Sequence, residues 1–263
     1  MHAPLGTIDP DLLLLAYRSG IFPMADARDD PEVFWVEPRE RAVLPLDHFH
    51  LSHSLAKTLR RGAFSVTCNQ AFAEVMQACA GPRRGDGGET WISMRIEASY
   101  VRLHELGHAH SLECWQHGKL VGGLYGVGFD AVFCGESMFS DAPDASKVAL
   151  AWLVAALRRG GAKLLDCQFI TPHLASLGAV EITQTSYLNQ LKAAQRPLAG
   201  AGGAAAGLGG VADGLGADGV GAEGFGAGDA LPLPAAFGAL LADATGSSSS
   251  PGNFIAQSLT QTS

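Results

Sequence analysis

Residues 104–110 read HELGHAH, and the first five letters satisfy H-E-x-x-H, a pattern in which two histidines on one helix hold zinc beside a glutamate base. That chemistry requires both imidazoles on one helical face, four residues apart. Upstream, RIEASYVRLHELG reads as a helix with Ile96, Tyr100, Val101 and Leu103 on its apolar side, and Gly107 stands where a left-handed cap belongs. Downstream, HAHSLECW reads as extended, with Ala109, Leu112, Cys114 and Trp115 in partial alternation. His108 therefore falls beyond the helix. The longer form of the zinc pattern also needs glycine and a third histidine where Ser111 and Cys114 stand. The segment is expected to be a helix-to-strand corner with capping histidines, and no metal is expected.

Stronger chemical signals lie further on. In KLLDCQFI, strand alternation puts Asp166 and Gln168 on one face and Leu165, Cys167 and Phe169 on the other. An aspartate inside an apolar strand is costly unless something compensates for it. Either the acid and amide form a satisfied structural pair, or they line a reaction site. In FCGESMFS, Glu136 follows Gly135, whose missing side chain would let a ligand approach; the alternative is an edge glutamate in solvent. Trp35, Trp91 and Trp115 stand near polar or glycine-rich turns, where a ring can stack on a base or simply pack.

The elements that must position these groups follow from caps and periodicity. Asp9-Pro10 starts a helix through DLLLLAYRSG; GIFPM turns, and FWVEPRERAVLPL is extended. HLSHSLAKTLRRG and NQAFAEVMQACAG read as helices flanking a strand, FSVTCN. SLECWQHGKLVGGLYGVGFDAVFCGESMFS reads as a three-stranded meander with turns at QHGK and GFD. A helix follows over DASKVALAWLVAALRRGG, capped by Asp144, then the KLLDCQFI strand and helices at PHLASLG and SYLNQLKAA. Strands mixed with helices predict an α+β fold with helices packed on a sheet.

Composition sets the bounds. A chain of 263 residues, 47% hydrophobic, can build one large or two modest cores. No apolar run approaches the ~18 residues of a membrane span, and the first residues lack the basic-then-apolar order of a secretory leader. Five widely spaced cysteines argue for reduced thiols and a cytoplasmic setting. Net charge is −8, but Leu198 onward holds five acidic residues and no Lys or Arg. That segment also holds 16 of the 33 glycines, so 198–263 is expected to be a flexible tail, with one short helix conceivable near LPAAFGALLADA. Lys57, Arg60 and Arg61 bunch in one segment and Arg83 and Arg84 in a loop, either as a local basic face or as solvated surface.

The order and wording of GIFPM, FWVEPR, TWI, LHELGHAHSLECW, LVGGLYGV, FCGESMFS, DASKVAL and LLDCQ…HLASLGA resemble the leucyl/phenylalanyl-tRNA–protein transferases over about residues 8–195. That bacterial family moves leucine or phenylalanine from aminoacyl-tRNA onto proteins beginning with arginine or lysine, which marks them for degradation. The resemblance implies a small N-terminal domain (1–40) and an acetyltransferase-like, GNAT-like mixed sheet with flanking helices (41–197), with no cofactor and no metal. It implies catalytic roles for Asp166 and Gln168, and for Glu136 the positioning of the acceptor's basic residue. Trp91, with Met24 and Trp35, matches positions around the tRNA's terminal adenosine. Leu124, Phe133, Leu150, Leu153 and Leu165 match the apolar pocket for the transferred side chain. Met24 stands where the family typically has tryptophan, and Phe34 replaces the first ring of a double-tryptophan motif. The implied partners are charged tRNA and protein substrates, without a membrane, and a monomer is expected. The rival readings are an acyl-CoA-dependent N-acyltransferase of similar fold and a non-catalytic tRNA- or degron-binding protein.

Overall fold

Asp9 opens the first helix as expected, its carboxylate accepting from the amides of Asp11 and Leu12 ahead of Pro10 at the first helical position. The computed structural model describes residues 6–81, 90–195, 230–247 and 250–260. The Arg83–Arg84 loop and residues 198–229 of the expected tail lie outside them. In chain order the elements begin with α1 (Pro10–Arg18), β1 (Phe22–Met24), β2 (Phe34–Val36), β3 (Glu40–Val43), α2 (His53–Arg60), β4 (Ser65–Cys68), α3 (Phe72–Ala80) and α4 (Met94–Glu105). There follow β5 (Ala109–Gln116), β6 (Lys119–Phe129), β7 (Val132–Ser140), α5 (Ala145–Arg159), β8 (Leu164–Gln168), α6 (Pro172–Ser176), β9 (Val180–Thr183) and α7 (Gln184–Ala194). Two C-terminal helices complete the list, α8 (Leu233–Gly246) and α9 (Pro251–Thr260).

The architecture is α+β. β1 and β2 form a small antiparallel ribbon beside α1, and the remaining strands form one mixed sheet in the order β4-β5-β6-β7-β8-β3-β9. All its pairs are antiparallel except β7 with β8. Alternation along the strands sends successive side chains to opposite layers. Leu124, Phe133 and Leu165 join a core with α2, α5, α8 and α9, whereas Tyr125, Cys134 and Leu164 join one with α1, α3, α4 and α7. The meander closes with the turns expected, using left-handed His117 and Gly118 at one end and left-handed Asp130 at the other.

The HELGHAH corner is built as its pattern implied. α4 stops at Glu105, Gly107 takes a positive φ of 83°, and β5 starts at Ala109. His104 Nδ1 bonds the Ala109 carbonyl oxygen at 2.8 Å and its ring stacks on Phe72, while His108 lies past the helix end. The two histidines do not share a helix.

Three expectations are corrected. Asp144 occupies the N-cap position of α5 but its carboxylate caps nothing; it binds Lys147 at 3.1 Å and Thr58 at 3.3 Å instead. AVEIT was not read as a strand, yet β9 pairs along β3 at the edge of the sheet. The segment 198–263 is not wholly a flexible tail, because α8 and α9 bury Leu233, Phe237, Leu240, Ala244, Ile255, Ala256 and Leu259. Its apolar residues recur at helical spacing, and they cover the outer side of α5, where Trp152 packs on Phe237.

Candidate active site

The parallel ladder between β7 and β8 runs through Val132↔Leu164, Phe133↔Leu165 and Cys134↔Asp166 and then ends. Just beyond its end, each strand departs from regular geometry. Gly126 of β6 faces Gly135 while Tyr125 faces Ser137, so Glu136 is the extra residue of a β-bulge. On the other side, Ala42 faces Gln168 while Val43 faces Asp166, which makes Cys167 the extra residue, and Gln168 itself takes a left-handed φ of 62°. A cleft of about 350 Å³ opens at this point, a size within the usual range for small-ligand sites.

The floor of the cleft is apolar, formed by Leu124 of β6, Leu150 and Leu153 of α5, Leu165 of β8 and Met138 of β7. Met24 of β1 and Trp91 also line it, joined by a hydrogen bond from the Ala25 amide to the Trp91 carbonyl oxygen at 3.2 Å. Polar groups are few: Tyr125, Glu136, Ser137, Gln168, Thr171 and His173. Sequence reasoning did not single out Met138, Phe169 or His173. His173 follows proline in a helix start, a position that gives no chemical cue.

Of the expected acid and amide, only Gln168 reaches the cleft. Gln168 lies with Leu165, Cys167 and Phe169 along the cleft, whereas Asp166 is 0% exposed and does not line it. The extra residue at Cys167 and the left-handed Gln168 break the two-residue alternation on which that expectation rested. Asp166 is fully occupied where it lies. Its Oδ1 accepts from Arg41 Nε at 2.9 Å and from the Gln168 backbone amide at 2.8 Å, and its Oδ2 accepts from Arg41 Nη2 at 2.6 Å and Tyr187 Oη at 2.9 Å.

Arg41, 1% exposed, also donates to the Gly20 carbonyl oxygen at 2.9 Å and lies over the rings of Phe22 and Tyr187. Burial works against its charge, but Asp166 more than offsets this and holds it protonated. Burial and the neighbouring Asp166 raise the Tyr187 phenol, so it remains a donor. Neither Arg41 nor Tyr187 was singled out from sequence. The available signal was an arginine opening an apolar strand, RAVLPL, which needs a buried partner just as the strand aspartate does.

Gln168 and Glu136 are the reactive end of the cleft. Gln168 is 5% exposed, and its Nε2 finds no hydrogen-bond partner among the described residues; the same is true of Glu136 Oε1, which is shielded from solvent. Glu136 Oε2 accepts from Tyr100 Oη at 3.3 Å, and the Tyr100 hydroxyl is bonded to that of Tyr17. Burial pushes the Glu136 carboxyl up to about 7, with Asp166 adding to the rise while Tyr17, Gln168 and Arg41 pull the other way.

Two further expected residues are not brought to the cleft. Phe133 is fully buried in the core cluster that also holds the floor residues and does not line the cleft. Trp35 is 42% exposed on the β1–β2 ribbon, opposite Pro23.

A cleft with an apolar chamber and a short polar rim suits an enzyme that transfers an acyl group bearing an apolar side chain. Known proteins give the class its definition. The family model described as leucyl/phenylalanyl-tRNA protein transferase matches residues 43–192, and the model of that family's N-terminal domain matches 6–39. A leucyl/phenylalanyl-tRNA–protein transferase of Novosphingobium aromaticivorans is 67% identical over 260 residues, 97% of each chain. A protein of the same name from Rhizorhabdus wittichii is 59% identical over 197 residues, 75% of this chain and 79% of that one. Among solved structures, L-PGS from Bacillus licheniformis aligns with a TM-score of 0.34 at 12% identity, over 62% of this chain and 54% of that chain. The class is that of the aminoacyltransferases. This chain belongs to the leucyl/phenylalanyl-tRNA–protein transferase family.

Proposed function

We propose that the protein moves leucine or phenylalanine from aminoacyl-tRNA to the α-amino group of proteins that begin with arginine or lysine, as a cytoplasmic monomer. Such a product would carry an N-terminal residue that marks it for degradation. The observation that carries this reading is the junction of the apolar floor with Gln168 Nε2 and Glu136 Oε1, two of the four buried polar atoms of the lining that have no partner among the described residues, the others being Tyr125 Oη and His173 Nε2. A leucyl or phenylalanyl side chain fits the floor of Leu124, Leu150, Leu153 and Leu165, with Met138 beside them. Selection among apolar side chains is then modest, since one methylene is worth about 1 to 3 kcal/mol. Trp91 and Met24 offer a ring and a polarizable thioether to the terminal adenosine.

The aminoacyl ester is already activated, so no enzyme nucleophile is needed. Gln168 donates Nε2–H to the carbonyl oxygen as charge develops on it, a contribution of about 3 to 4 kcal/mol for one such donor. Asp166 acts as a positioning residue. By accepting the Gln168 backbone N–H it holds the left-handed turn that aims the amide into the cleft. Glu136 receives the positively charged first residue of the acceptor.

The test offers radiolabelled leucyl-, phenylalanyl- and methionyl-tRNA with peptides beginning with Arg, Lys or Asp. Label is expected on the Arg and Lys peptides from the leucyl and phenylalanyl donors. Thermal stabilisation by acetyl-CoA and not by puromycin, with no label transferred, would replace this reading with an acyl-CoA enzyme.

A further inference from the structure

Amine attack on an ester requires the neutral amine, yet an N-terminal α-amino group has a reference pKa of about 7.7 to 8.0 and enters mostly as ammonium at neutral pH. Some group in the cleft must take its proton. Asp166 is sealed beneath the strand with four donors on its two oxygens. The Gln168 Nε2 is a donor only, the hydroxyls of Ser137 and Thr171 are poor bases, and His173, whose Nε2 also has no partner among the described residues, is the rival that the experiment must separate. Glu136 is different. The bulge that singles it out turns it toward the cleft, its Oε2 is fixed by Tyr100, and its Oε1 is left without a partner among the described residues.

We propose that Glu136 is the general base, with Tyr100 and Tyr17 as the residues that orient it. This rests on the aminoacyl-transfer reading and adds a catalytic role to Glu136 within it. The Tyr100 hydroxyl has one proton and gives it to Glu136, so Tyr17 must donate to Tyr100. Both phenols are raised by burial and by the Glu136 charge, which keeps them as donors. The charged and titratable groups around Glu136 are Tyr17, Tyr100, Tyr125, Cys134, Asp166 and Arg41. The five acidic groups among these six are neutral or, for Asp166, paired with the guanidinium, so none competes for the proton.

The step balances as follows. Glu136 Oε1 takes one proton from the ammonium, and the freed nitrogen lone pair forms the C–N bond at the ester carbonyl while Gln168 steadies the oxyanion. The tetrahedral intermediate collapses with cleavage of the bond to the ribose oxygen. That oxygen leaves as a hydroxyl, carrying a second proton from the attacking nitrogen. Glu136 then releases its proton to water, which matches the net production of one proton when an ammonium becomes an amide. A carboxyl held near neutrality is well matched to this exchange.

The experiment measures transfer from phenylalanyl-tRNA to an Arg-initiated peptide between pH 6 and 9 for the wild type, Glu136→Gln, Tyr100→Phe and His173→Asn. An enzyme that uses the ammonium keeps its rate between pH 7 and 8, whereas Glu136→Gln depends on free amine and rises about fivefold over that unit, as the amine titrates. The expected deficit in kcat is about 100-fold at pH 7, in line with the usual worth of a general base, and it narrows toward pH 8. Tyr100→Phe shifts the lower pH break upward, because the carboxylate loses its donor. Thermal unfolding establishes that each variant is folded. A deficit constant with pH, or confined to the peptide KM, overturns the proposal and leaves Glu136 as a binding residue. Loss of the lower pH break in His173→Asn with its survival in Glu136→Gln also overturns it, in favour of the histidine. Absence of transfer by the wild type would sink the aminoacyl-transfer reading itself, together with the base that serves it.

Discussion

Glu136 shows how far single residues can be read ahead of coordinates. Its place in an apolar strand marked it as anomalous, but not the direction it faces, because nothing in FCGESMFS announces that residue 136 is the unpaired member of a bulge. Asp166 shows the opposite failure. Simple alternation aimed it into the cleft, and a bulge with a left-handed glutamine turned the cleft over to its neighbours. The raised carboxyl of Glu136 has a consequence for stability. Because the fold favours the protonated form, the stability this group contributes is complete below pH 4.5 and is lost as pH rises through about 7. The span from 4.5 to about 7 corresponds to roughly 3 kcal/mol. Glu136→Gln, which cannot ionise, is therefore expected to unfold at a higher temperature than the wild type at pH 8 and at the same temperature at pH 4. Equal midpoints at both pH values would contradict the raised carboxyl.

At the level of elements, most of the fold was legible because its signals are local. Caps at Asp9 and Gly107, turns at QHGK and GFD, and the apolar periods of α2 and α3 mark what they form. β9 escaped because Val180, Glu181 and Thr183 are exposed at a sheet edge, with little alternation to read. α5 carried a hint that was not used. It is apolar on every side, so a second layer had to cover it, and α8 and α9 supply that layer. The bulge on β7 depends on a glycine across from it. A Cβ at Gly126 would lie 2.3 Å from the Cys134 carbonyl oxygen and 2.5 Å from the Phe133 ring, both parts of the adjacent strand. Gly126→Ala is predicted to cost about 1 to 3 kcal/mol and to lower transfer at least tenfold by re-aiming Glu136. Gly118→Ala, in open space at a distant turn, should cost stability through its positive φ yet leave transfer intact. Thermal midpoints and initial rates for the pair separate a geometric effect from general weakening.

Across the whole molecule, the C-terminal helices are part of the main core. Arg158 Nη1 reaches the Ser258 carbonyl oxygen, Arg159 pairs with Asp243 at 2.7 Å, and Gly252 lies so close to the Leu59 carbonyl that no side chain fits between them. Each large apolar side chain buried in such a layer is worth about 1.5 to 3 kcal/mol. Deleting residues 230–263 is expected to lower the thermal midpoint by at least about 10 °C and to expose Trp152, which its fluorescence would report. A midpoint unchanged by the deletion would show the layer to be dispensable. None of this could be taken from glycine counts, which say nothing of how Leu233, Phe237, Ile255 and Leu259 pack.

The position of β3 in the sheet bears on how the protein is made. This strand leaves the ribosome early, yet its neighbours are β8 and β9, and the Arg41 it carries must wait for Asp166 and Tyr187. Until then a nascent chain presents an open strand flanked by Glu40 and Arg41, charges that discourage pairing with a stranger. Closing contacts over 125 residues makes assembly slow compared with the local helices. The site accordingly cannot assemble before residues 166 and 187 have joined the chain, and a product terminated ahead of them would hold Arg41 without its acid.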